Sequence, residues 1–223
     1  MEGMIHEKSF CKVLTAAYKN GGYEIIPGVI EAGPWKRHNI IINGAAWAIQ
    51  CETHLLPREA AVQAVKDVGY LPMEPMMVNK NGSTQAMLPE LAEKRNGLLP
   101  DAHKGAVPMK KIPVIYRDRW QLYQTEKGEV YAFDVELLKI IDFKTVGKSD
   151  DLLTNMAAGG VLGIFNWRDW TVYIAPGRFS GADLEKIQHI AAMDWENQIE
   201  QGDPITNITL FDAEDVAPVE QED

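Results

Sequence analysis

Residues 161–176, with the sequence Val-Leu-Gly-Ile-Phe-Asn-Trp-Arg-Asp-Trp-Thr-Val-Tyr-Ile-Ala-Pro, constrain the fold more than any other stretch. They read as two β-strands folded about a polar turn over 166–169. Side chains alternate along a strand, so Trp170, Val172 and Ile174 share one face and Thr171 and Tyr173 the other. A hairpin with so apolar a face must be half buried, and it therefore anchors a sheet. It carries no obvious chemistry.

The chain has 223 residues, room for one large domain or two small ones, and its 46% hydrophobic and 9% aromatic content is that of a folded protein. No apolar run approaches the roughly 18 residues a membrane helix needs. Residues 1–8 lack the basic and apolar blocks of a secretory signal, so a cytoplasmic location with no membrane contact is expected. Cys11 and Cys51 then read as buried thiols rather than a disulfide. The net charge of −10 is uneven: the tail over 212–223 holds six acids (Asp212, Glu214, Asp215, Glu220, Glu222, Asp223) and no base, which leaves −4 for the rest. Such a tail reads as a solvated, disordered end. A mildly acidic body disfavours general adhesion to nucleic acid but leaves room for a local basic face.

Periodicity predicts a helix over 8–20, with Phe10, Val13, Leu14 and Ala17 inward, Ser9 as its cap and Asn20-Gly21-Gly22 as its stop. A strand over 23–26 follows, then extended runs over 39–42 and 46–51 joined at Asn43-Gly44, a dipeptide suited to tight hairpins. A second helix is expected over 57–68, between Pro57 and Gly69. Residues 76–87 read as a hairpin, followed by an irregular, proline-rich connection. Beyond it come strands over 113–117, 120–124 and 130–133, a short helix capped by Asp134, a brief helix over 150–158, and the Trp-rich hairpin. A last helix over 181–201 opens on a capping box from Ser180 to Asp183 and aligns Leu184, Ile187, Ala191, Trp195 and Ile199. The pattern is α+β: antiparallel sheets with packed helices in two similar subdomains, 1–88 and 113–211, joined by a connection over 89–112 and ending in the tail. Asn and Trp stand four apart in both Asn43…Trp47 and Asn166…Trp170, as expected of distant copies of one unit.

Catalytic and metal-binding patterns are missing. Cys51 and His54 stand close together without the further ligands a zinc site needs, and His6, His38, His103 and His189 are scattered. There is no Gly-x-Ser-x-Gly elbow, and Gly159-Gly160-Val-Leu-Gly163 lacks the Lys-Ser/Thr of a phosphate loop. Asp150 and Asp151 suit a helix start. The expectation is a non-enzymatic binding protein with no cofactor and no metal. Among the tryptophans, Trp35 in a loop and Trp167 beside Arg168 at a hairpin tip are the candidates for partner binding, since Trp and Arg dominate interface hot spots.

In the second half, Val130-Tyr-Ala-Phe-Asp-Val-Glu-Leu-Leu-Lys-Ile-Ile141 resembles the strand-then-helix segment that opens the last repeat of a DNA sliding clamp, the processivity factor of replicative polymerases. The run from Leu162-Gly-Ile-Phe through Thr171-Val-Tyr-Ile-Ala-Pro-Gly-Arg178 is similar to that repeat's closing pair of strands. The similarity covers roughly 50 residues, of types that hairpins favour in any case. Ile40-Ile-Ile-Asn-Gly44 with the helix over 57–68 fits a second such repeat, whereas the helix over 181–201 has no counterpart in one. The resemblance implies helices lining a ring, sheets outside, duplex DNA through the centre, and a polymerase-type protein as partner. A two-repeat chain must form a homo-oligomer to close such a ring. Lys8, Lys12, Lys19, Arg58, Lys66 and Lys139 are then the candidate phosphate contacts. The rival expectation is a protein-interaction or regulatory module of phage or mobile-element origin that binds protein through its tryptophans and tail.

Overall fold

The computed structural model describes residues 4–32, 35–70, 72–81, 85–87, 99, 101–146, 152–193 and 195. The acidic tail, Ile199 and residues 89–98 and 100 of the proline-rich connection lie outside the described residues. Helix α1 (Glu7–Lys19) buries Phe10 and Leu14. His6, not Ser9, caps it, through its ring nitrogen and the Ser9 N–H. A three-strand meander follows, β1 (Tyr23–Ala32), β2 (Trp35–Asn43) and β3 (Trp47–Glu52). The turn between β2 and β3 needs Gly44, because a Cβ there would meet the Trp47 indole at 2.5 Å. Helix α2 (Arg58–Val68) starts after Pro57 and stops at Gly69, whose φ of 93° is a left-handed value that glycine adopts freely. The hairpin expected over 76–87 is present as the short strands β4 (Met76–Val78) and β5 (Gln85–Ala86).

The next meander comprises β6 (Val107–Tyr116), β7 (Trp120–Thr125) and β8 (Val130–Asp134). The first of these begins inside the stretch expected to be irregular, because Val107 and Pro108 pair with Met156 and Asn155. Asp134 caps α3 (Val135–Leu138) by accepting the Glu136 N–H, as its sequence position suggests, and α4 (Phe143–Val146) follows. The helix expected over 150–158 is instead the strand β9 (Leu153–Met156), held between β6 and β10 (Gly163–Trp167). Pairing on both sides overrides a weak local helix preference there. Strand β11 (Trp170–Ile174) completes the Trp-rich hairpin, and α5 (Ala182–Ala191) follows. Gly181 takes the capping position of α5; the expected capping box is absent because Asp183 turns instead to the Tyr116 hydroxyl (2.8 Å) and Arg117.

Among the described residues all pairings are antiparallel and give one eleven-stranded sheet ordered β5-β4-β1-β2-β3-β11-β10-β9-β6-β7-β8. Strands from the two halves join where β3 pairs with β11, from Trp47↔Ile174 to Cys51↔Trp170. A second junction is an isolated bridge between Ile5 and Ile141 with reciprocal hydrogen bonds: the His6 N–H to the Ile140 carbonyl (2.8 Å) and the Asp142 N–H to the Met4 carbonyl (2.7 Å). The flanking residues correspond. His6 accepts the Ser9 N–H at the start of α1, and Asp142 accepts the Lys144 and Thr145 N–H groups at the start of α4.

Alternation along the strands sorts the core by face. On one face Ile25, Ile40, Ile42, Ile49, Phe165 and Val172 pack with residues of α1, α2, α3 and α4. On the other, Ile26, Ile41, Ala48, Ile164 and Tyr173 form a smaller cluster with Leu99 and Ala157. On that same side Ile187 and Ile190 of α5, with Trp195 beyond its end, cover Ile112, Leu122 and Ala132. The class is therefore α+β. No helix among the described residues is long and apolar enough to cross a membrane.

Candidate nucleic-acid interface

The six candidate phosphate contacts all lie on the helix side of the sheet. At about 100° per residue, Lys8, Lys12 and Lys19 fall within about 40° of one another around α1 and span about 16 Å along it. All three are exposed, opposite the buried Phe10 and Leu14. Helix α2 packs beside α1 and carries Arg58 in its first turn and Lys66 in its last. The N-terminal ends of the two helices meet, where the Glu7 carboxylate accepts the Glu59 N–H (3.4 Å). That carboxylate sits at the positive end of α2, a favourable place for it. Lys139 is exposed at the end of α3 and pairs with Glu136.

Two grooves gather part of this set. A polar one of about 610 Å³ lies between the starts of α1 and α2 and is lined by Lys8 and Arg58, by the carboxylates of Glu7 and Asp142, and by Thr145 and Trp170. A second, of about 430 Å³, is lined by Lys111, Lys139 and Lys144 above Tyr123, Leu138 and Phe143. His6 and Asp142 border both grooves, so the two are contiguous. Lys12, Lys19 and Lys66 lie on later turns of their helices and line neither. The sequence reading missed Lys111 and Lys144. Lys111 fell in a segment taken for a connection, and Lys144 sits in a four-residue helix whose only signal is the Asp142-x-x-Thr145 cap.

The aromatic candidates fare differently. Trp167 is 4% exposed and belongs to the helix-side core, so its expected exposure at a hairpin tip is corrected. Arg168 takes a positive φ of 53° at the turn, which lays its guanidinium 4.4 Å over the Trp167 ring. The ring folds back onto its own sheet because β10 and β11 put Trp167 and Trp170 opposite each other. Trp35 opens β2, and its side chain lies outside what is described.

The opposite face holds a cavity of about 620 Å³, lined mainly by Ile26, Ile41, Ala48, Leu162 and Tyr173, with Glu24 and Asp101 among its polar residues. Near it, the Tyr173 hydroxyl donates to Gln50 Oε1 (3.2 Å), and its oxygen lies 3.0 Å from His103 Nε2. Burial pushes the Tyr173 phenol up to about 12 and the His103 imidazole down, so both stay neutral at pH 7. The group is a neutral hydrogen-bond chain. Among the described residues no three His, Cys, Asp or Glu side chains cluster as metal ligands would.

No family model, no curated protein and no solved structure matches the chain.

Proposed function

We propose that this protein is a non-catalytic accessory factor of DNA transactions that holds duplex DNA against its helix layer, in the manner of a sliding-clamp repeat. Support comes from the two contiguous grooves, where Lys8 and Arg58 continue into Lys111, Lys139 and Lys144 beside the lysine row of α1. Cations on one side of a mildly acidic body give sequence-independent attraction to phosphates without general stickiness. The two segments 5–52 and 141–174 read as copies of one unit: a short strand, a capped helix and a three-strand meander. Trp47 opens β3 as Trp170 opens β11, so the Asn43…Trp47 and Asn166…Trp170 echo falls at matching places. One copy presents one helix layer, so encirclement requires several copies, and a polymerase-type protein is the partner such a holder serves.

The test is fluorescence anisotropy on a blunt duplex across a salt series, with mass photometry of the bound species. The logarithm of the affinity is expected to fall linearly with log salt. Replacing Lys8, Lys12 and Lys19 together by Gln should lower that slope by about 0.9 for each lysine that contacts a phosphate. No binding at about 50 mM salt, or binding with no salt dependence, ends the proposal.

A further inference from the structure

The contiguous grooves differ in chemistry, and the difference starts at one pair of corresponding positions. Across the Ile5–Ile141 bridge, His6 matches Asp142, Glu7 matches Phe143 and Lys8 matches Lys144. On the first side Glu7 turns its carboxylate to the start of α2. On the second, Phe143 stays 38% exposed at the rim of the groove, next in sequence to Lys144 and with Lys139 and Lys111 around it. Beneath lie the buried Tyr123, Leu138 and Ile141. A phosphate track needs cations only. An exposed aromatic ring over an apolar floor, ringed by three lysines, suits a ligand with a flat apolar part and a negative charge close to it.

We infer that this groove takes an unpaired nucleotide at the end of a duplex held by the neighbouring groove, its base against Phe143 and its phosphates near Lys111, Lys139 and Lys144. This rests on the duplex-binding reading above and names the DNA form it prefers: a junction between paired and single-stranded DNA. Aromatic stacking tolerates any base, so the preference is for the junction, not for a sequence. Asp142 keeps its negative charge at the border of the groove, with its carboxylate oxygens held by the Lys144 and Thr145 N–H groups and the Thr145 hydroxyl. Lys139 is paired with Glu136, so it reaches a phosphate only by giving up that carboxylate, and Lys111 and Lys144 carry more of the attraction.

Anisotropy with the full chain would compare a blunt duplex with the same duplex carrying a short single-stranded overhang, at equal salt. The overhang should bind at least about five-fold more tightly, the low end of what one stacked base supplies. Phe143→Ala and Phe143→Leu should both erase that ratio, bringing overhang affinity down to what each variant shows for the blunt duplex; the leucine keeps apolar volume at a half-exposed site and guards against a folding defect. Equal binding of both DNAs by the unaltered protein overturns the inference and leaves the duplex reading standing. So does a loss on Phe143→Leu that is the same for both DNAs. If neither DNA binds, the duplex reading has failed, and this inference with it.

Discussion

The two faces of the sheet are closed by different means. On the helix face, Phe10 of α1 meets Trp47 edge-on at 5.6 Å, and Tyr123, Phe133 and Phe165 form a mutual edge-to-face trio with centroids 5.4 to 5.7 Å apart. On the other face the central strands present the smaller Ile26, Ile41 and Ala48 beside a cavity, and Tyr173 is tied by hydrogen bonds to Gln50 and His103. Aromatic packing of the first kind is dense and intolerant of truncation, whereas polar ties beside open space are worth little each. The lysines of α1 therefore ride on the part of the molecule least able to deform. The proposed phosphate contacts on α1 would gain from such a platform, which fixes the spacing of the lysines.

The largest effect that tests this contrast is Phe10→Ala. Phe10 is fully buried, and its removal leaves a void between α1 and Trp47, so unfolding stability in urea should drop by about 3–5 kcal/mol. A loss below about 1 kcal/mol would mean that α1 is loosely held and that the helix face is not the rigid one.

How much of this could be read from the residues differs from element to element. Helix α1, helix α2 and the Trp-rich hairpin were legible because their apolar spacing and stop signals (Asn20-Gly21-Gly22, Gly69) act locally. Strand β9 was not legible: Leu153-Thr-Asn-Met156 is strand because β6 and β10 flank it, and although β10 follows after a short loop, β6 lies far back in the sequence. Asp183 shows the same limit. Its spacing from Ser180 suggests a local cap, yet Arg117 and Tyr116, more than 60 positions away, claim the carboxylate. For the candidate site, the α1 lysines could be placed by helical angle alone. The grooves could not, since Lys8 and Lys144 come together only through the Ile5–Ile141 bridge, which two residues of sequence do not announce.

A second, smaller effect separates the faces by pH. Cys51 lies on the helix face, and desolvation, helped by the nearby Glu52 carboxylate, pushes its thiol from 9.0 up to about 12. The folded state keeps the proton that the unfolded chain releases above about pH 9, so the stability this thiol contributes is intact below pH 9 and declines as the pH rises toward 12. The decline should run at up to about 1.4 kcal/mol per pH unit. The phenols of Tyr123, Tyr173, Tyr116 and Tyr131, all raised from 10.0 chiefly by burial, join as the pH nears 10, so the window just above pH 9 reports chiefly the thiols. Urea midpoints measured across that window should slope downward in the native chain. In Cys51→Ala the slope should fall, and what remains comes from Cys11, whose thiol is also raised, chiefly by burial and then by Glu59 and Glu7, and from the raised phenols as the pH nears 10. An unchanged slope would show that Cys51 reaches solvent and that the helix-side core is open there.

The smallest effect tests the other face. Tyr173→Phe removes the hydroxyl that donates to Gln50 and faces His103 but leaves the ring in place. His103 is exposed and Gln50 only partly buried, so water can take over their hydrogen bonds and no orphaned polar atom is created. The loss should be about 1 kcal/mol or less, well under that of Phe10→Ala. Above pH 10 the variant should lose stability more slowly than the native chain, because it lacks a phenol that the unfolded state ionises first. A cost matching that of Phe10→Ala would place the more tightly built core around Tyr173, reverse the assignment of rigid and yielding faces, and remove the mechanical reason for seating the phosphate track on α1.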